Sequence, residues 1–362
     1  MPRIYNFSAG PSVMPETVLE QARDEMLNWQ GRGLSILEMP FTGDDFKSIM
    51  AEAEADLRDL LAIPDNYRVL FMHGGATAQL SLVPMNLLGG KKTAAYADLG
   101  YWSGRAIDEA KRYCDVTLAA SGKSLAYTDI PPPDAWKTDL NDAAYCHITA
   151  NETADGLEMN WQPETGNVPL VADMTSNFLT RPINVSEFGL IYAGAQKNIG
   201  PAGLCLVLIR DDLLGRATPL TPKVFQYGVQ AENNSRYNTP LTYGIYLAGL
   251  VFRWLKDQGG MAAMERESRA KSGLLYELID NSNGFYTCKI APAARSRVNA
   301  CFHLGDPALE PDFLDEARKN GLFHLSGHKR IGGLRASLYN AMPLESVEVL
   351  ARFMDDFAQR RG

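Results

Sequence analysis

Ile191-Tyr-Ala-Gly-Ala-Gln-Lys197-Asn-Ile-Gly-Pro201 is the stretch on which the reading of this chain turns. An apolar run, Gly189 to Gly194, leads into Lys197 and then into Gly200 and Pro201. A second apolar run, Leu204 to Ile209, follows at once. The lysine therefore lies on a tight connection between two predicted strands. That place is poor for a solvated lysine and suits an amine that forms a Schiff base. Such amines work when burial or a cationic neighbour lowers their pKa. Most strand-end lysines are solvated, so Lys197 by itself leaves both readings open.

Upstream, Val168-Pro-Leu-Val-Ala-Asp173 is an apolar run ending in a carboxylate. In open α/β sheets, ligands bind beyond the carboxyl ends of the strands. An acid there can pair with the ring nitrogen of a pyridinium cofactor. A lysine Schiff base with an Asp partner is the protein signature of pyridoxal phosphate. Alone, Asp173 also reads as a helix N-cap or turn residue. The cofactor needs a phosphate cup as well. Tyr67 to His73 reads as a strand, Gly74-Gly75-Ala76-Thr77 follows, and Ala78 to Leu88 is apolar and periodic. Strand, glycine turn and helix start bring backbone N–H groups and the helix dipole onto an anion. A Gly-Gly pair is often a plain turn; the strength lies in the chain order of cup, acid and lysine. Gly100-Tyr101-Trp102 ends another strand-like run, Thr93 to Leu99. Trp102 can stack on the pyridine ring, or be a half-buried core residue.

These residues resemble the phosphoserine aminotransferases, a family within the fold type I (class V) aminotransferases. The matching segments span nearly the whole chain. They are Asn6 to Pro11, His73-Gly74-Gly75, Gly100-Tyr101-Trp102, Asn151 to Gly156, Tyr192 to Gly203, Tyr237 to Pro240 and Gly332 to Pro343. The resemblance implies roles. Lys197 would hold the cofactor and shuttle the substrate proton. Asp173 would pair with the ring nitrogen, Thr153 would bond the ring hydroxyl, and Trp102 would stack. Ala76, Thr77 and Gln196 would bind the phosphate, with Asn238 and Thr239 supplied by the neighbouring subunit of a homodimer. Arg335 would hold the α-carboxylate, and His328 and Lys329 would meet the distal anion of the substrate.

One segment departs from the family pattern. A His-Arg pair that helps bind the substrate's phosphate or side-chain carboxylate is replaced here by Phe41-Thr42, within Leu37 to Gly43. Threonine cannot stand in for the planar fork of arginine. Loss of such a contact costs roughly 1.5–3 kcal/mol, or about tenfold to a hundredfold in affinity. Arg236 and Arg330 are candidate replacements. A move to a less anionic or bulkier substrate, with Phe41 lining its pocket, is the competing reading.

The 362 residues suit a two-domain enzyme. A net charge of −8 favours neither nucleic acid nor anionic membrane as a partner. Local cations must then meet an anionic substrate, and Lys329, Arg330 and Arg335 are the densest group. The five cysteines show no paired spacing and the five histidines no metal-ligand pattern. No signal peptide or membrane span is read, so cytoplasm is the expected compartment.

Strand-like runs near 67–73, 93–99, 114–119, 143–149, 168–173, 189–194 and 204–210 alternate with helical ones. That alternation predicts an α/β fold with a mostly parallel seven-stranded sheet. Helices are expected at Pro15 to Trp29, Phe46 to Ile63, Gly104 to Tyr113 and Tyr243 to Gln258. Helix 262–280, strands near 296–304 and 333–339, and helix 343–360 read as a smaller C-terminal α+β domain. The expected division is a large cofactor-binding domain, 16–258, and a small domain of 1–15 and 259–362. The resemblance implies a reaction that transfers an amino group between glutamate and 3-phosphohydroxypyruvate. A cysteine desulfurase or lyase would need a reactive cysteine on a flexible loop, and none of the five is so placed. A non-catalytic regulator would lack Lys197 or carry a DNA-binding module.

Overall fold

The computed structural model describes residues 3–137 and 139–362; Met1 and Pro2 of the N-terminal arm, and Thr138, lie outside the described residues. The chain opens with a short strand, β1 (Tyr5–Asn6), and two helices, α1 (Glu16–Asp24) and α2 (Asp44–Leu61). Helix α2 follows from its sequence. Asp44 and Asp45 sit in the first turn and Arg58 in the last, which suits the helix dipole. Phe46, Ile49, Met50, Ala53, Leu57 and Leu61 form one buried stripe.

An alternating section comes next: β2 (Tyr67–His73), α3 (Gly75–Leu87), β3 (Thr93–Asp98), α4 (Tyr101–Ala110), β4 (Asp115–Ser121) and β5 (Ala143–Thr149). A hairpin, β6 (Asn151–Glu152) and β7 (Leu157–Glu158), leads to β8 (Leu170–Asp173), β9 (Leu190–Gly194) and β10 (Leu204–Arg210). The seven long strands form one sheet in the order β2-β10-β9-β8-β5-β3-β4. Strand β10 is antiparallel to both its neighbours, and the remaining pairs are parallel. Strand β5 is buried at every position, as a strand covered on both faces must be. One face carries Leu70, Tyr96, Tyr145, Val171 and Tyr192 beneath α3 and α4. The other carries Phe71, Ile148, Ala172 and Ile191 against α2 and α6 (Thr242–Asp257), which follows the short α5 (Tyr227–Glu232). Helices α2 and α6 pack closely because Gly249 faces Ala53, where a Cβ would meet the alanine methyl at 3.1 Å.

The remainder is α7 (Gly260–Asp280), β11 (Tyr286–Thr287), β12 (Asn299–Leu304), α8 (Glu310–Lys319), β13 (Leu322–Phe323), β14 (Leu334–Ser337) and α9 (Leu344–Arg361). Strands β11, β12 and β14 form a three-stranded sheet, and β13 pairs with β1. A separate core gathers Leu275, Phe302, Phe313, Leu338 and Phe357, and Phe7 of the N-terminal arm joins it. Helix α7 straddles the two regions, since Met261 and Met264 pack in the core beside the large sheet.

The sheet matches the sequence expectation strand for strand. Two departures have clear causes. Helix α1 stops at Asp24, short of Trp29, because Asn28 accepts from the Gly33 N–H at 2.6 Å and Gln30 takes φ +47°. Helix α8 was not anticipated; it buries only Phe313 and Ala317, too few to show a period.

A buried ion pair joins the small region to the β6–β7 hairpin. Arg297 donates to Glu158 from Nη2 at 2.7 Å and from Nε at 3.2 Å, and its backbone N–H adds a third bond at 3.0 Å. Breaking such a pair strands a buried charge. Replacement Arg297→Ala should lower stability by roughly 3–5 kcal/mol, read as a fall in the urea unfolding midpoint against the unaltered protein.

Candidate active site

Strands β5, β8 and β9 end side by side at Thr149, Asp173 and Gly194. A cavity of about 280 Å³ opens at these carboxyl ends. Its lining contains Ala76, Thr77, Trp102, Thr153, Asp173, Gln196, Lys197, His328 and Arg335, nine of the residues singled out in the sequence.

The glycine turn is built as its residues require. Gly74 and Gly75 take φ +91° and +61°, a left-handed pair that side chains resist. A Cβ on Gly74 would meet that of Ala78 at 2.6 Å. The turn aims the start of α3, with Ala76 and Thr77, into the cavity, where free backbone N–H groups can hold an anion. Gly194 serves close approach: a Cβ there would lie 2.6 Å from Gln196 Oε1 and 3.1 Å from Ala76 Cβ.

Lys197 follows β9 in a turn, not a strand. Its Nζ donates to Thr153 Oγ1 at 2.6 Å. The residue keeps some exposure because it lines an open cavity, yet the amine is enclosed by protein. Burial pulls that amine down to about 8, against the opposing pull of the Asp173 charge. The N-terminal arm lies over the same segment. Ser12 Oγ donates to the Lys197 carbonyl at 2.6 Å, and the Ser12 N–H to the Gln196 carbonyl at 2.9 Å.

Asp173 is buried and accepts from the Thr175 N–H at 2.9 Å. Burial raises its pKa, while Thr175, Lys197 and Tyr192 oppose that rise. Trp102 lies half-buried in the first turn of α4. Its N–H donates to Glu152 Oε2 at 2.8 Å, that of Ser103 to Glu152 Oε1 at 2.8 Å, and that of Tyr101 to Asp155 Oδ2 at 3.0 Å. Two carboxylates, buried Glu152 and half-buried Asp155, thus seat the helix that carries Trp102. Burial and mutual repulsion raise the pKa of Glu152. Neither acid was picked out as a site residue; nothing local distinguishes Glu152 and Asp155 from turn residues.

Arg335 on β14 donates from Nη1 to the Thr153 carbonyl at 3.1 Å, so Thr153 lies between the cation and the amine. The His328 ring packs on Tyr101 at 4.3 Å. Burial, Arg335 and Arg330 all lower its pKa below the ordinary value, so it is neutral near pH 7.

Seven residues singled out in the sequence do not line this cavity within one chain. Lys329 is exposed. Arg330 is exposed, with its guanidinium over the Tyr101 ring at 5.7 Å, at the edge of the His328 contact. Arg236, Asn238 and Thr239 lie on the loop between α5 and α6, where Asn238 Nδ2 stands 3.4 Å from His73 Nε2. Phe41 is half-buried against the core of the large sheet, and Thr42 is exposed. Neither lines the cavity within the chain. The sequence reading missed Thr149, Asn151 and Ser176, which do. No cysteine lines it either.

The donor set fits pyridoxal phosphate: a helix start for a phosphate, an indole for a ring face, a buried carboxylate for a ring nitrogen and an amine of lowered pKa for an aldehyde. Among the described residues, no group of three or more His, Cys, Asp or Glu side chains is placed to hold a metal ion. Comparison with known proteins agrees with this chemistry. Residues 4–350 match the family described as Aminotransferase class-V. The chain is 54% identical over 359 residues to the phosphoserine aminotransferase of Laribacter hongkongensis, covering 99% of each protein. It superposes on a solved phosphoserine aminotransferase from Bacillus circulans subsp. alkalophilus with a TM-score of 0.97, at 41% identity and 99% coverage of each chain. A pyridoxal-phosphate-bound phosphoserine aminotransferase from Trichomonas vaginalis gives 0.91 at 39% identity, over 98% of this chain and 100% of that one. With likeness of this extent over its whole length, the chain belongs to the class-V aminotransferases, in their phosphoserine aminotransferase family.

Proposed function

We propose that the protein is a pyridoxal-phosphate-dependent transaminase that interconverts 3-phosphohydroxypyruvate and L-glutamate with O-phospho-L-serine and 2-oxoglutarate, a step of serine biosynthesis. The observation that carries this reading is one cavity holding Lys197, Asp173, Thr153, Trp102, the start of α3 and Arg335 together. When bound, the cofactor supplies an electron sink for the pair left behind as a proton leaves Cα.

The chain's own residues do the rest. Ala76, Thr77 and Gln196 hold the phosphate, Trp102 covers the ring face, Thr153 meets the ring hydroxyl and Asp173 the ring nitrogen. Lys197 Nζ takes a proton from Cα of the donor amino acid and delivers one to Cα of the product. An amine near pH 8 is matched to that task, since it exists in both forms close to neutrality. Arg335 forks the α-carboxylate, and its bond to the Thr153 carbonyl fixes it relative to the Lys197 amine. The arm from Ser8 to Ser12 limits water at Lys197.

A homodimer in the cytoplasm completes the proposal. Asn238 and Thr239 do not reach their own cavity, which supports a role in that of a second copy. Leu27 and Leu37 stand 84% and 63% exposed, apolar surface that a partner can cover. The lobes divide near 258/259, with the arm joining the second. No helix among the described residues is long and apolar enough to cross a membrane.

Labelling tests the core claim. Pyridoxal phosphate followed by borohydride should tag the Lys197 peptide, and Lys197→Ala should take no tag. Only the neutral amine condenses with an aldehyde, so the initial rate of tagging should climb with pH and level off above about 8. A rate still climbing toward ordinary lysine values would contradict the lowered pKa.

Kinetics test the substrate. Single-turnover assays with several oxo acids should favour the phosphorylated acceptor, and preference for an unphosphorylated one would overturn the assignment. Arg335→Gln should raise KM for both substrates by about tenfold to a hundredfold, the worth of a charge-assisted contact. Arg330→Ala should raise KM more for phosphoserine than for glutamate if this cation compensates for Phe41-Thr42; equal, unchanged constants would remove it from the site, and Arg236→Ala is the matching control.

A further inference from the structure

We infer that Tyr192 and His147 form a directed hydrogen-bond relay behind Asp173, which keeps its carboxylate ionised and thereby holds a proton on the cofactor's ring nitrogen. The inference rests on the cofactor reading above and adds two positioning residues that do not line the cavity.

Register brings the groups together. Strands β5, β8 and β9 are adjacent, and Thr149, Asp173 and Tyr192 occupy one row across them. His147 lies two positions before Thr149, so its side chain points to the same face. Tyr192 and His147 are 0% and 1% exposed. The Tyr192 hydroxyl stands 3.1 Å from His147 Nε2, and Tyr192 is the cross-strand partner of Asp173, whose ionised form the hydroxyl favours. A phenol has one proton to give, and a carboxylate only accepts. In the relay the O–H is turned toward Asp173, and the phenol oxygen accepts from Nε2–H. That fixes the tautomer of His147, with Nδ1 bare. Nδ1 is buried and has no hydrogen-bond partner among the described residues. The opposite tautomer would bury an unpartnered N–H there and turn the Tyr192 proton away from the carboxylate.

The imidazole cannot contribute as a cation, since burial pushes it down to about 3. It acts as a fixed dipole. The Tyr96 ring stacks on it at 4.9 Å with a 25° tilt, and Tyr96 is itself tied to the Tyr145 hydroxyl at 2.6 Å. Two aligned dipoles, N–H then O–H, oppose the tendency of burial to protonate Asp173. A protonated Asp173 could not balance a charged ring nitrogen. A purely packing role for these aromatics predicts no effect on that nitrogen.

Holoenzyme carrying nitrogen-labelled cofactor reports the ring protonation by its NMR shift. Tyr192→Phe keeps the ring and removes the hydroxyl. It should move the ring-nitrogen signal toward the unprotonated position and slow the glutamate half-reaction by about tenfold, with KM for glutamate unchanged. His147→Leu should move both readouts in the same direction. His147→Gln, whose amide N–H can replace Nε2–H, should restore them. The relay is overturned if Tyr192→Phe, melting like the unaltered protein, leaves the nitrogen signal in place, or if His147→Gln loses as much as His147→Leu. The His147 pair decides the matter should Tyr192→Phe not fold. The cofactor reading fails separately, if the unaltered protein takes up no cofactor.

Discussion

A lysine amine kept enclosed, with its pKa drawn down to about 8, is the constraint around which this molecule is arranged. An ammonium group in water is strongly hydrated, and its removal from water is opposed unless the charge is given up. The chain meets that cost by placing Lys197 at the carboxyl end of a fully buried strand, closing it with the N-terminal arm and giving the amine one short bond to Thr153. Asp173 works against the shift, and the balance settles at about 8. More carboxylate near the amine would keep it charged and inert. Deeper burial without Asp173 would leave nothing to balance a pyridinium ring.

The same amine ties the two regions of the chain together. Thr153 accepts from Lys197 through its hydroxyl and from Arg335 through its carbonyl, so a residue between β6 and β7 gauges the separation of the Lys197 amine and the Arg335 guanidinium. Beside it, Asn151 donates to Ser176 and to Asn299, and accepts from the Ser296 hydroxyl. Asn198 donates to the Ser176 carbonyl and accepts from the Asn340 N–H. These polar side chains are buried and mutually paired. Such networks are rigid when every member is satisfied, which suits a site needing fixed distances between groups far apart in the chain.

Much of this was legible before any coordinates. The seven strands of the sheet could be read because each is a compact apolar run bounded by Gly, Pro or polar turns. The glycine turn at Gly74-Gly75, Asp173 and Lys197 could be read because each stands at a strand end. What stayed hidden depends on pairing over long separations. Glu152 and Asp155 look like turn residues until α4 is laid across them. Ser12 looks like part of a polar arm until its hydroxyl meets the Lys197 carbonyl. The two-residue strands β1 and β13 pair across most of the chain and carry no period of their own. The arginines divide in the same way. Arg335 stands in a long strand-ending motif, while Arg330 acquires a neighbour only once the Tyr101 ring is in place.

The cation arrangement bears on the Phe41-Thr42 departure. The chain carries a net charge of −8, so its general field repels a phosphorylated acid. Recognition must be local and short in range. Arg335 is fixed by a backbone carbonyl and can serve the group common to both substrates. The groups toward the mouth are of a different kind. His328 is neutral near pH 7, held down by burial and by two arginines, and Arg330 rests on an aromatic face without a carboxylate partner among the described ion pairs. Arrival of an anion favours the imidazolium form of His328 and gives the Arg330 guanidinium a counter-charge. A phosphate, with more charge and more acceptor oxygens than a side-chain carboxylate, gains more from such a reserve. Where the His-Arg pair is missing, His328 is a group whose charge can grow with that of the anion it meets.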